Sequence, residues 1–233
     1  MTDVELNLKI WADSLFPKIQ QSGLYARNPT AHKWKAPFRS LMLRETVFWR
    51  LHDLLTQSLL LHQQGHGLGA RILLRSAFES LATLIYLNQL MQRVIDGDLN
   101  FHTFSEKTTV LLLGSRNNEQ GPKSINIITV LDKCEAQYPG LKEIYADLSE
   151  SAHPSFEGLC RGYSKSNHDE YETVFSNRWM ELYGKRHLDL MELCMSTFHN
   201  EYDKQWLILI EKLENWTEAN DEMLESTKND QQT

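Results

Sequence analysis

Two side chains in the stretch RGYSKSNH have the chemistry needed to cleave RNA. Arg161 begins this stretch and His168 ends it, with six residues between them. A guanidinium is always charged and can stabilise a phosphate transition state, and an imidazole titrates near neutrality and can move a proton. Together they suffice, without a metal, for cleavage through the RNA 2′-hydroxyl. An arginine and a histidine at such a spacing also occur often by chance.

A second set of polar side chains lies in the most apolar stretch of the chain, residues 70–90. Arg71, Arg75 and Glu79 are spaced four apart, so at about 100° per residue they form one stripe along a helix. A helix with so little polar surface is normally central in its domain. We therefore expect the stripe to be partly buried and held by partners. Arg75 and Glu79 can pair with each other, whereas Arg71 must find a partner elsewhere or bind an anion.

His153 belongs with these residues to an alternative polar centre. It stands at the predicted end of a helix, immediately before Pro154, whose ring disfavours helical geometry at the preceding residue. The helix macrodipole, which favours a cation at this end, explains a histidine there as well as an active role does. Ser151 and Ser155 flank it, but there is no GxSxG motif, and no catalytic triad is predicted.

The sequence offers little to hold a metal. His62 and His66 have the spacing of a helical zinc pair, but Gly65 lies between them and no glutamate follows His62. The chain contains three widely spaced cysteines: Cys134, Cys160 and Cys194. They form no CxxC pair and fit a reducing compartment as buried small hydrophobes. We therefore predict no metal, no cofactor and a cytoplasmic location.

The composition indicates a helical protein. The 233 residues, 41% of them hydrophobic, can form a sizeable core, and 11 glycines and 6 prolines suit long helices better than many turns. A net charge of −7 is unlike that of a general nucleic-acid coat protein, but it leaves room for a local basic site. No run approaches the ~18 to 20 apolar residues that span a bilayer, so no membrane partner is expected.

Apolar periodicity predicts the helices that position these residues. Residues 2–21 predict a first helix, and residues 40–63 and 70–90 predict an antiparallel helical hairpin. Between them lies a linker with a basic cluster around Trp34: His32, Lys33, Lys35 and Arg39. Such a cluster can bind nucleic acid, although it is more often a solvated loop pinned by its aromatic side chain.

The second half of the chain has weaker signals. Residues 155–176 show little periodicity and are predicted to form a functional loop. Residues 177–224 predict one helical pattern of about 70 Å, whose late Trp206 and Trp216 favour packing on a partner chain. The predicted division is an N-terminal helix with a basic linker at 1–39, a helical bundle at 40–224 and a disordered tail at 225–233.

Two stretches of the sequence, together with the long helix after them, resemble a known bacterial class. These are GARILLRSAFESLATLIYL and YADLSESAHPSFEGLCRGY, and they are similar to HEPN-like helical proteins. The resemblance covers roughly residues 40–210 and is closest to poorly characterised abortive-infection and toxin-like members. It implies an all-α bundle, commonly homodimeric, with ribonuclease members that carry an R-x(4–6)-H pattern. Arg161 and His168 match the outer limit of that spacing.

The resemblance favours an all-α, HEPN-like bundle that dimerises through its final helices and cleaves RNA without a metal, in phage defence or growth arrest. His168 would then act as general base or acid, and Arg161 would stabilise the phosphorane. The alternative is a non-catalytic, homodimeric interaction or regulatory module that binds a protein partner in a defence or toxin–antitoxin system. A third hypothesis, a small-molecule enzyme, predicts that Arg75, Glu79 and His153 converge in an enclosed pocket.

Overall fold

The computed structural model describes residues 2–117 and 121–228 and is predominantly helical. The helices are α1 (Asp3–Ser14), α2 (Gln21–Arg27), α3 (Pro29–His32), α4 (Lys35–Gln63), α5 (Gly67–Ile95), α6 (Phe101–Leu113), α7 (Ile127–Cys134), α8 (Leu141–Ala152), α9 (Trp179–His199), α10 (Trp206–Ala219) and α11 (Asp221–Ser226). Two π-helical segments, Phe156–Arg161 and Asn200–Gln205, lie before the strands and after α9. Among the described residues, no helix has both the length and the hydropathy needed to cross a bilayer.

The predicted, predominantly helical fold is confirmed, with one local exception: an antiparallel hairpin of β1 (Ser164–Asn167) and β2 (Glu172–Phe175). Ser164 pairs with Phe175 at one end of the hairpin, and Asn167 pairs with Glu172 at the other. The predicted loop at 155–176 therefore consists of the first π-helical segment and this hairpin. Neither strand alternates buried and exposed residues, so the period-2 signal that predicts a strand is absent from the sequence.

The chain forms two compact units, and the first contains Met1–Leu15, Trp49–Leu81 and Cys134–Thr197. Here the predicted antiparallel pairing of α4 and α5 is confirmed. Ser58 Oγ donates to the carbonyl of Ala70 at 2.8 Å, and Arg50 Nε donates to Ser80 Oγ at 3.1 Å. The buried side chains of this unit include Leu51, Leu55, Leu74, Phe78, Leu81, Leu148 and Trp179.

The second unit contains Phe16–Phe48, Ala82–Lys133 and Phe198–Thr233. The basic linker lies in this unit, and it is not a solvated loop, because α3 and the start of α4 occupy it. Lys33 Nζ lies 2.6 Å from Asp221 and 3.0 Å from Glu225, and the Trp34 indole also donates to Asp221 at 2.9 Å. These acidic partners occupy Lys33, so the cluster is not an open basic surface for nucleic acid. The predicted boundary at residue 39 falls inside α4.

The terminal helical region is interrupted, and its tryptophans lie inside the second unit. Trp206 is 4% exposed, with the guanidinium of Arg44 at 4.4 Å from its ring, and Trp216 stacks on Phe101 at 5.9 Å. The chain itself therefore covers Trp206, contrary to the inference that it contacts a partner chain. Trp216 is only half-buried, and its contact with a partner chain stays a prediction. Helix α11 continues to Ser226, past the predicted tail boundary, and residues 229–233 of that tail lie outside the described residues.

Candidate active site

Arg71 is the most deeply buried member of the charged stripe on α5, at 1% exposed. Its Nε donates to Ser151 Oγ at 2.7 Å, and its Nη2 donates to both the carbonyl and the carboxylate of Asp147 at 3.1 Å. Both partners lie on α8 in the first unit. The expected buried stripe is thus confirmed, and Arg71 uses a neighbouring helix as its partner.

Arg75 and Glu79 form the half-buried continuation of the same contact between α5 and α8. Arg75 Nε donates to Ser149 Oγ at 2.8 Å, and its Nη2 donates to the Tyr145 hydroxyl at 2.6 Å. Tyr145 donates in turn to Glu79 at 2.9 Å, and Arg75 and Glu79 pair at 3.2 Å, as expected. Because each group has a partner, this network orients the two helices against each other.

His153 stands apart from this network. Helix α8 ends at Ala152, and His153 caps it in an extended conformation with ψ of 148°. Its side chain is exposed and makes no hydrogen bond or ion pair with the rest of the described chain. Arg75, Glu79 and His153 therefore do not converge in an enclosed pocket, and the geometry gives no support to a small-molecule enzyme built on these three.

A line of contacts connects the buried Arg71 to the surface. The Arg71 guanidinium lies 4.0 Å from the ring centre of Tyr183, and the Tyr183 hydroxyl donates to Glu157 Oε2 at 3.0 Å. Arg161 Nη1 donates to both oxygens of Glu157, at 2.9 and 3.0 Å. The Glu157 hydrogen bond raises the pKa of Arg161, and burial, followed by Glu157, raises the pKa of Tyr183. Arg161 is therefore anchored to the packed part of the first unit.

Although it is anchored, Arg161 remains available to a ligand. Its side chain is 49% exposed, and only Nη1 donates to a described residue, so the Nη2 and Nε hydrogens face no protein acceptor. Arg178 Nη1 donates to the carbonyls of Arg161 and Ser164, which fixes this backbone. A Cβ on Gly162 would lie 2.6 Å from the Trp179 indole, so close packing requires glycine after the arginine. The position of the Arg161 guanidinium is thus fixed on one side by Glu157, and its other N–H groups remain in solvent.

His168 lies at the other end of β1 from Arg161, in the exposed turn of the hairpin. Strand β1 separates the two residues, and its four residues span about 10 Å. The His168 ring makes no hydrogen bond or ion pair with any described residue. Three acidic residues lie close to it in the chain, at what we call the hairpin tip: Asp169, Glu170 and Glu172. The two predicted catalytic residues share a surface but do not meet within one chain.

The surface around these two residues is apolar to an unusual degree. Six large side chains are exposed on the hairpin and the first π-helical segment, and we call them the hairpin surface: Phe156, Leu159, Tyr163, Tyr171, Val174 and Phe175. Tyr171 is 97% exposed. Its φ of 54° is in the left-handed region, which disfavours a bulky residue. Exposed apolar side chains of this kind are typical of interaction surfaces.

Sequence reasoning missed the residues that hold Arg161 in place. Glu157 and Arg161 are four apart, which is the spacing of a helical ion pair, but the weak apolar periodicity around them indicated a loop. Tyr145 and Ser149, the partners of Arg75, are also four residues apart and share one face of α8. No local pattern signals Tyr183, because it meets Glu157 only through the fold.

A buried histidine pair lies next to this network in the first unit. His187 Nε2 is 3.0 Å from Ser58 Oγ, and the His187 ring stacks on that of His62 at 5.0 Å. Burial, and then the proximity of His62 and Arg71, lowers the pKa of His187 to about 4. Burial therefore keeps His187 neutral and also lowers the pKa of the half-buried His62. The pair is a structural element that the zinc-like spacing of His62 and His66 did not reveal.

We expect this burial to make stability depend on pH between about 6.5 and 4. In that window the unfolded chain protonates His187 and the folded chain does not, so the free energy of unfolding falls as the pH falls, by about 3 kcal/mol in all. The measurement is urea unfolding across this range for the native chain and His187→Gln, which should have the flatter dependence. Met191→Leu, a buried change that does not titrate, should keep the native slope. Equal slopes for the native chain and His187→Gln would contradict the assignment.

The residues that the structure describes contain no group of three or more histidine, cysteine, aspartate or glutamate side chains that could hold a metal ion. Comparisons of the chain with protein-family models, with curated proteins and with solved structures find no match. The chemistry of the candidate site is accordingly inferred from the residues of this chain: an anchored arginine, an exposed histidine and the apolar surface between them.

Proposed function

We propose that the chain is a HEPN-like homodimer that cleaves RNA without a metal, in bacterial phage defence or growth arrest. Arg161 stabilises the phosphorane and His168 moves the proton. The observation that carries this proposal is that Glu157 anchors Arg161 while half of its side chain stays in solvent with unused N–H groups. Cys134 and Cys194 are buried as expected, whereas Cys160 is exposed, contrary to the expectation of a buried small hydrophobe. A free exposed thiol suits the reducing cytoplasm that this role requires.

A second copy of the chain completes the site in this proposal. If two hairpins lie side by side in opposite directions about a two-fold axis, the turn of one lies beside the start of β1 of the other. Each Arg161 then faces the partner's His168. The separation of about 10 Å along β1, which keeps Arg161 and His168 of one chain apart, therefore does not prevent them from acting on one phosphate. The paired hairpins also cover a part of the hairpin surface, since Val174 and Phe175 are consecutive in β2 and lie on opposite faces.

The charges on the hairpin favour this antiparallel arrangement. The hairpin tip carries Asp169, Glu170 and Glu172, whereas the other end, which we call the hairpin base, carries Arg161, Lys165 and Arg178. Arg161 and Arg178 pair with Glu157 and Glu181, so the excess positive charge of the base rests on Lys165. A two-fold axis across the hairpin places each acidic tip on the partner's basic base and keeps like charges apart. A second copy is therefore the occupant that best complements this surface.

The reaction follows from these positions. The neutral imidazole of His168 takes the proton of the RNA 2′-hydroxyl, and the 2′-oxygen forms a bond to the adjacent phosphorus. The free N–H groups of Arg161 donate to the non-bridging oxygens, whose charge grows in the phosphorane. The bond from phosphorus to the 5′-oxygen then breaks and that oxygen takes a proton, which leaves a 2′,3′-cyclic phosphate and a 5′-hydroxyl.

The second candidate function is a non-catalytic interaction module, and one observation favours it. The three acidic residues beside His168 repel phosphate, so the hairpin tip alone is unfavourable for RNA. In that case the hairpin surface binds a protein partner, and Arg161 is a structural ion pair of the first π-helical segment. Both functions are compatible with a homodimer, and they differ in whether RNA is cut.

Sedimentation and RNA cleavage in EDTA, measured on the same proteins, test the proposal. The native chain should be a dimer that cuts single-stranded RNA, and Asp169→Lys/Glu172→Lys should weaken the dimer at least tenfold and reduce cleavage with it. Adding Lys165→Glu to that variant should tighten the dimer again, because a complementary pair is restored. A native chain that does not cut RNA would overturn the proposal and favour the interaction module, and a native monomer would overturn the site shared between two copies.

A further inference from the structure

The second unit contains a cavity that RNA cleavage does not use. Helices α2, α3, α4 and α10 enclose about 460 Å³, within the range of small-molecule sites. An adjoining cavity of about 250 Å³ shares Leu24 and His32 with it. The apolar lining of the larger cavity consists of Leu24, Pro37, Leu41, Leu207 and Ile210.

Histidine 32 lines both cavities and keeps one unused hydrogen-bonding atom. His32 is 4% exposed, and its Nε2 lies 2.9 Å from Oε1 of Glu214, which Arg27 also contacts. A carboxylate only accepts, so Nε2 carries the hydrogen, and Nδ1 of the neutral ring is left with a lone pair. Nδ1 is buried and has no hydrogen-bond partner among the described residues.

A second residue of the cavity lining has an unused hydrogen-bond donor. Trp206 is 4% exposed, and its indole Nε1 is buried without a partner in the described part of the chain. An indole nitrogen can only donate. Buried polar groups in folded proteins are nearly always paired, so an unused acceptor and an unused donor on one cavity point to a missing ligand.

We propose that this cavity binds a small, neutral, largely apolar molecule that carries a hydroxyl group. A hydroxyl both donates and accepts, so it can pair with the unused His32 Nδ1 or with the unused Trp206 indole. Arg27 pairs with Glu214, and Glu211, the remaining carboxylate of the lining, is exposed to solvent, so the buried part of the lining does not call for a charged ligand. The apolar walls take the rest of the molecule.

The test titrates p-cresol and toluene, two rings of similar shape that differ by the hydroxyl, into the full chain with ¹⁵N-labelled tryptophan. Trp206→Phe identifies the Trp206 signal among the six tryptophans. We expect p-cresol to shift this signal and to bind at least tenfold more tightly than toluene, because a site with unpaired polar groups rejects the analogue that leaves them unpaired. Equal affinities, or no shift at Trp206, would overturn the proposal.

Variants that fill the cavity give an independent check. Leu24→Trp should abolish p-cresol binding in a chain whose circular dichroism stays native, and Leu41→Trp does the same if Leu24→Trp fails to fold. Leu60→Trp, at an exposed position in the first unit, is the matched control and should bind as the native chain does. Native binding by both folded cavity variants would show that the probe binds elsewhere.

Discussion

Replacing Arg161 by alanine is expected to lower the rate of RNA cleavage about a thousandfold, the usual loss for an arginine that stabilises a phosphoryl transition state. The reason is geometric: Glu157 fixes one edge of the guanidinium, and the free edge donates to the phosphorane. The measurement is cleavage of single-stranded RNA in EDTA under single-turnover conditions. His168→Ala should cost a comparable factor, because it removes the proton-transfer group.

Two matched variants separate this role from general damage to the surface. Arg186→Ala removes an exposed arginine of the same unit, and His153→Ala removes the exposed histidine of the alternative polar centre. Both should cleave RNA within about twofold of the native rate, since neither residue lies on the hairpin. An undiminished rate in Arg161→Ala, or a large loss in His153→Ala, would move the active site away from the hairpin.

Replacing Arg71 by alanine is expected to lower the free energy of unfolding by about 3 kcal/mol. The change removes a fully buried guanidinium that binds Ser151 and Asp147 and packs on Tyr183. It leaves a cavity and an unpaired buried hydroxyl on α8, and both terms destabilise the folded chain. Urea unfolding measures the loss.

Arg186→Ala is the control for this prediction as well, since Arg186 approaches the same Asp147 carboxylate, at 3.7 Å, from an exposed position. Exposed pairs of this kind contribute about 0.5 kcal/mol or less. A loss below about 1 kcal/mol in Arg71→Ala would mean that the polar network between α5 and α8 does not hold the helices together, and would reopen a ligand-binding role for Arg71.

The part of the fold that sequence predicts best is the α5 helix and its stripe. An apolar helix with three charged groups at spacings of four must be buried with partners, and both the burial of Arg71 and the Arg75–Glu79 pair follow from that alone. The helical hairpin follows from the same periodicity and from the glycines between its arms. These features depend on residues that are close together in the chain, so the helical periodicity of the apolar residues predicts them.

The parts that sequence does not predict depend on contacts distant in the chain. Lys33 pairs with Asp221, which lies near the other end of the chain. The sequence therefore did not show that acidic residues cover this part of the basic cluster. The sequence did not predict the β-hairpin because its strands are short and exposed on both faces. Arg161 could be named from its type, but the Glu157 and Tyr183 contacts that fix it belong to the fold.

The central claim is that Arg161 and His168 act together across two chains. The most direct measurement mixes inactive Arg161→Ala with inactive His168→Ala and follows RNA cleavage after subunit exchange. Half of the dimers then contain one of each chain, and each such dimer has one complete site, so we predict recovery of about a quarter of native activity. A mixture as inactive as either variant alone, with exchange demonstrated, would contradict the shared site.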